Sequence, residues 1–193
     1  MRLFVIRAKK IYLNINYRMT SIFAASLTYF IFFQLNDWLF ASLELHSGAN
    51  WIYLPAGLRL LSTLLLGARG AIGLFLASLA IAATNMAHID FTTMLIASVI
   101  SAVMPYLAYR TALNFGMNPS LENLSVKALF VLTFLYALMS STTHSFWYWI
   151  RGTSTDFFST LSVMFIGDLI GTLIVIYSIK FALMIIDRLP KKE

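Results

Sequence analysis

The chain has 193 residues, of which 60% are hydrophobic and only 11% charged, with a formal net charge of +6 and no cysteine. A soluble domain carries roughly 25% charged residues, so this composition excludes an ordinary water-soluble domain. The missing cysteines exclude disulfides, thiolate nucleophiles and cysteine-held zinc or iron–sulfur sites. At ~20 residues per crossing the length allows about six membrane helices and no soluble domain, so residues 1–193 read as a single integral membrane domain.

In chain order, residues 1–18 form a basic segment in which Leu3, Phe4, Val5 and Ile6 precede Lys9, Lys10, Ile11 and Tyr12. Two readings stand side by side: an interfacial helix lying on the cytoplasmic face, or a plain basic tail. Six continuously apolar runs follow, at 19–40, 51–67, 70–87, 91–113, 126–149 and 157–185. Continuous rather than alternating apolarity predicts helices, and the whole reads as an all-α, polytopic six-helix bundle over 19–185. A short tail, 186–193, closes the chain. The first run is too long for a cleaved leader and lacks a small-x-small cleavage site, so it is expected to stay as an anchor.

Charge sets the expected orientation. Twelve of the fourteen basic residues fall in the N-terminal segment, in alternate loops and near the C-terminus: among them Arg18, Arg69, Arg110, Lys127 and Lys180. Arg151 alone falls on the opposite side, and Arg59 lies within a run. The positive-inside rule then places both termini in the cytoplasm of a bacterial inner-membrane protein. The same distribution assigns the positive charge to orientation and anionic lipid heads rather than to nucleic acid. Trp38, Trp51, Trp147 and Trp149 all fall at the outer interface, where amphipathic rings anchor.

Two ionisable residues sit deep in their runs. Arg59 is eight residues past Trp51, or ~12 Å, and Asp168 is eleven past Phe157, or ~16 Å. Charge at such depth costs roughly 3 kcal/mol on insertion scales and needs a partner or water. The matching depths predict that Arg59 and Asp168 are near neighbours in the outer half of the bundle. Their pairing reads either as a staple between the second and sixth helices or as the polar floor of a ligand pocket. Gly167 and Gly171 form a G-x-x-x-G that admits a close backbone, and Gly67, Gly70 and Gly73 are read as further packing glycines. Pro55 and Gly57 weaken the start of the second helix.

His46, His88 and His144 all fall on the outer half, but no metal-ligand spacing is present, so no metal site and no cofactor are expected. His144 follows Ser140, Ser141, Thr142 and Thr143, a hydroxyl run that bonds back to helix carbonyls or lines a polar cavity. Asn85 is placed with His144 above the charged pair, with Trp51, Trp147 and Trp149 at the rim. No G-x-S-x-G, H-E-x-x-H or phosphate-binding loop occurs, and the chain is read as a non-enzyme.

Residues 54–77, LPAGLRLLSTLLLGARGAIGLFLA, carry a Pro-x-Gly, a leucine-rich helix and a Gly-x-Arg turn, and FIGDLIGTLIV at 165–175 carries a Gly-Asp-x-x-Gly. Both stretches resemble the MASE-type membrane-associated sensor domains that precede bacterial kinase and cyclase output domains. The resemblance implies that Pro55, Gly57, Gly67, Arg69, Gly167, Asp168 and Gly171 are family positions. It also implies a sensory role. Without an output domain in this chain, that role would act through a membrane or cytoplasmic partner protein. In length and span number the chain is also similar to the substrate-binding component of energy-coupling-factor transporters, although the Ala-x-x-x-Ala docking motif is missing. The expected function is therefore a sensory or small-ligand-binding membrane module, with a transport component and a ligand-free scaffold as alternatives.

Overall fold

A computed structural model describes residues 2–46, 49–85, 90–116 and 126–188. It contains six α-helices: α1 Arg2–Phe40, α2 Pro55–Leu66, α3 Ala68–Asn85, α4 Phe91–Asn114, α5 Val126–Ile150 and α6 Phe157–Arg188. Their positions follow the apolar runs closely. The basic N-terminal segment continues into α1 as one helix. Among the described residues four stretches are long and apolar enough to cross a bilayer: Asn16–Leu43, Phe91–Asn114, Val126–Ile150 and Phe157–Ala182. These helices leave many large apolar side chains exposed, among them Phe23, Ile31, Phe130 and Ile174, and a lipid bilayer is the environment that suits them.

The second run does not become a helix of crossing length. Residues 41–43 make one 3-10 turn, and β1 Glu44–His46 pairs antiparallel with β2 Ala49–Asn50. The chain then bends through 51–54 before α2 begins at Pro55, whose fixed φ and missing N–H suit a first helical turn. With twelve residues α2 is ~18 Å long, against roughly 30 Å of hydrocarbon. It packs against all five other helices, and eight of its twelve residues are buried. α2 is therefore the central strut of the bundle, and the other helices form a wall around it.

The turn into α3 needs glycine at Gly67, where φ is +57°. Gly67 is thus a turn residue and not the packing residue expected from the sequence. Gly70 lets α3 fold back against the Ser62 carbonyl of α2, and a Cβ on Gly73 would stand 2.7 Å from the Ile22 carbonyl of α1. The β1–β2 pair, the end of α3, the start of α4 and the α5–α6 connection lie at one end of the bundle, here the hairpin end. Helices α1, α3 and α5 run toward that end, and α2, α4 and α6 run away from it. At the hairpin end Arg151 bridges to Asp90 at 3.1 Å, joining the start of α4 to the α5–α6 connection. At the opposite end Arg69 stacks on Tyr17, its guanidinium carbon 4.9 Å from the ring centre.

Candidate functional site: a charged cavity around the central helix

Arg59 projects from the second turn of α2 and is 6% exposed. A guanidinium taken out of water needs acceptors for its fork of N–H groups. Tyrosines supply them: Nε donates to the Tyr29 hydroxyl at 2.8 Å and Nη2 to the Tyr53 hydroxyl at 3.1 Å. The two hydroxyls are 3.2 Å apart, and the guanidinium carbon lies 5.3 and 5.0 Å from the two ring centres, within cation–π range. Arg59 is thereby fixed from α1 and from the bent segment before α2.

That bent segment is held at depth by the rest of the chain. The Asn50 and Tyr53 carbonyls lie directly on Gly167 and Gly171 of α6, where a Cβ would collide with backbone. Those glycines stand ten and fourteen residues into α6, roughly 15 and 21 Å along its axis. Non-helical backbone so far inside must have its polar groups satisfied by protein. Tyr53 N donates to the Gly167 carbonyl at 3.2 Å, and Leu54 N to the buried Asn36 side chain at 2.8 Å. Asn50 accepts from Ile52 N at 3.1 Å and donates to the Phe40 carbonyl at 3.0 Å. The G-x-x-x-G therefore seats a bent, non-helical stretch of backbone rather than a second helix.

Asp168 follows Gly167 on α6 and is 2% exposed. The Ser140 hydroxyl of α5 lies close to its carboxyl, while Oδ2 has no hydrogen-bond partner. Asp168 and Arg59 line one cavity of about 70 Å³, yet they do not meet at ion-pair distance. They share a cavity, as expected, but the direct staple between α2 and α6 is not formed. The reason is local: the tyrosine hydroxyls already draw the guanidinium toward α1. Ten helical residues follow Ser140 in α5 and eleven precede Asp168 in α6, so both lie in the halves of their helices nearer the hairpin end.

The remaining walls come from more helices than the second, fifth and sixth. α1 adds Phe33, α3 adds Ser78, Ile81 and Ala82, and α4 adds Ala97, Ser98 and Ser101. From α5, His144 is 3% exposed, with Nδ1 3.0 Å from the Ser140 carbonyl and Nε2 3.4 Å from the Ser101 hydroxyl. A carbonyl only accepts, so Nδ1 carries a proton in its bond to Ser140. Ser78, like Asp168, presents a buried oxygen without a partner.

Several expected residues lie elsewhere. Trp51 is 42% exposed and Trp149 is 53% exposed. Trp147 packs beside Tyr148, Val163 and Met164 with Arg151 above its ring. None of the three lines the cavity. Pro55 and Gly57 are buried in α2, with Gly57 against Val175, and shape the helix rather than the cavity wall. The side chains of Asn85 and His46, and all of His88, lie outside the described residues.

Outside the bundle, Asp90 caps α4: Oδ2 accepts from the Thr93 hydroxyl at 2.7 Å and Oδ1 from Thr93 N at 3.1 Å. The Thr93 hydroxyl, with help from Arg151, lowers its carboxyl from 3.8 to about 2. Comparison of the chain with protein-family profiles, with curated proteins and with solved structures gives no match.

Proposed function

We propose that this chain is a small-ligand-binding module of a bacterial cytoplasmic membrane, crossing six times with both termini in the cytoplasm and acting through a partner protein. The observation that carries the reading is the cavity: a cation and a carboxylate, both buried, face one space and are not paired with each other. A staple would bring Arg59 and Asp168 together, because unpaired buried charge is costly. The space is several times the ~10–15 Å³ that one water needs, and its polar groups converge from different helices, as binding sites do.

The six-crossing topology rests on the charge bias, on treating 49–66 as one composite crossing, part bent chain and part helix, and on counting the shorter apolar helix α3 as another. The likeness of 54–77 and 165–175 to MASE-type sensor domains supports a sensory role. A ligand seated against α2 would touch an element that contacts every other helix, so occupancy would reach the packing of the whole bundle.

The test is a thermal-shift screen of the purified protein in detergent against small metabolites, with Asp168→Asn alongside. A ligand that binds the folded state raises the midpoint by mass action, and the mutant should lose that rise. No rise with any metabolite, together with an Asp168→Asn protein that is merely less stable, would point to a scaffold.

One observation favours a second reading, a transport component. A helix broken beside a mid-depth charged site is a recurrent way of building transporter sites, and α2 with the bent 51–54 segment is such a break. Uptake of the bound metabolite into vesicles would select that reading, and binding without uptake would reject it.

A further inference from the structure

Resting on the ligand-binding reading of the cavity, we propose that its occupant is a small zwitterion, an amino acid with a short aliphatic side chain. Its carboxylate would meet Arg59 and its ammonium would meet Asp168.

Four features of the cavity lead there. Arg59 is fixed by two tyrosine hydroxyls, which are dipoles and supply no counter-charge. Asp168 offers Oδ2, a buried acceptor without a partner, and the two groups do not meet at ion-pair distance. Ser78 adds a second unpartnered buried oxygen to the lining. The other walls include Phe33, Ile81 and Met164, apolar surfaces that suit a few methyl groups.

Charge decides between ligand classes. In a low-dielectric interior each ionised group needs an opposite charge or a dense set of dipoles. A simple anion would satisfy Arg59 and be repelled by Asp168, and a simple cation would do the reverse. A neutral polar molecule would leave both charges without a counter-charge. A zwitterion supplies both counter-charges at once and adds no net charge to the site. A cavity of about 70 Å³ limits the molecule to a few heavy atoms beyond its charged ends.

The experiment uses the full chain in detergent and measures binding of glycine, L-alanine, L-valine and γ-aminobutyrate. The comparison probes are propionate, propylamine and N-acetyl-alanine amide. At least one zwitterion should bind and raise the unfolding midpoint. Its monofunctional analogues should bind roughly 30-fold more weakly or worse, the usual penalty for leaving one buried charge unmatched. Asp168→Asn should weaken the zwitterion by a similar factor. Ala82→Leu, which fills the cavity from α3 and touches neither charged group, should abolish binding in a protein that still elutes as a single folded species.

If propionate or propylamine binds as tightly as the zwitterions, the zwitterion inference is overturned while ligand binding stands. The inference is overturned in the same way if no zwitterion binds but the metabolite screen yields another ligand. If nothing binds in either experiment, both readings fall. If a zwitterion binds equally well to Ala82→Leu, it sits elsewhere and the inference is likewise overturned.

Discussion

Arg59, Tyr29 and Tyr53 form a closed triangle of hydrogen bonds, each member touching the other two. Hydrogen bonds to a charged group contribute roughly 1.5–3 kcal/mol each, so Tyr29→Phe and Tyr53→Phe should each destabilise the protein by about that much. Because the hydroxyls also touch each other, the double mutant should cost less than the sum. Denaturant unfolding in detergent measures this, and strict additivity would mean that the triangle does not act as a unit. Asp90 yields a prediction in pH. Its folded carboxyl titrates at about 2 against an ordinary 3.8, so its contribution is fully present above pH 3.8 and is lost as pH falls toward 2. Asp90→Ala should lower the unfolding midpoint at neutral pH, and the gap to wild type should close over that interval. Arg59, Asp168 and His144 were legible because charge and imidazole stand out in an apolar run. The tyrosines were not, since tyrosine is also an ordinary lipid-interface residue. A usable mark was present in α1: Ser21, Ala25, Tyr29 and Asn36 are spaced by four, four and seven, one helical face of small and polar residues, and all four are buried.

The α6 glycines act through the backbone they admit. Gly167→Ala and Gly171→Ala would each press a methyl group into the carbonyl of Asn50 or Tyr53. Overpacking of this kind typically costs about 1–3 kcal/mol, and here neither contact can yield through a flexible side chain. Both variants should unfold at lower denaturant than wild type and should loosen the seat of Tyr53. Gly116→Ala, in an open turn, has no neighbour to strike and should change little beyond its own backbone strain. The element positions were legible because long apolar runs leave few alternatives to helix. The break at 44–54 was not, because hydropathy does not separate an apolar helix from an apolar bent segment. What permits the bend is long-range: the amide acceptor of Asn36 and two glycines more than a hundred residues away in sequence.

For the whole molecule, the proposed topology can be tested cleanly because the chain has no cysteine of its own. Phe115→Cys and Thr155→Cys replace exposed residues at the two ends of the bundle. In intact cells an impermeant thiol reagent should label the second and spare the first until the membrane is opened. The reverse pattern would invert the orientation, and equal labelling would mean that α5 does not cross. The wall of helices around α2 could not be read from the order of runs. That order suggests neighbours in sequence packed as neighbours in space, whereas α2 meets every helix because it is short enough to be enclosed.

The seat of the bent segment has a consequence in time. Asn36 emerges from the ribosome before residues 50–54, but Gly167 and Gly171 emerge more than a hundred residues later. Until α6 is inserted, the amide of Tyr53 has no carbonyl to meet and one side of α2 has no neighbour. α2 is too short to hold a crossing by itself, so the nascent bundle must keep this stretch near water or in the care of the insertion machinery. Assembly then ends with a single event, the arrival of α6, which closes the backbone bonds of residues made long before it. A chain stopped after α5 should therefore lose the ordered seat of α2 and of residues 50–54, and protease should cut it between residues 44 and 54.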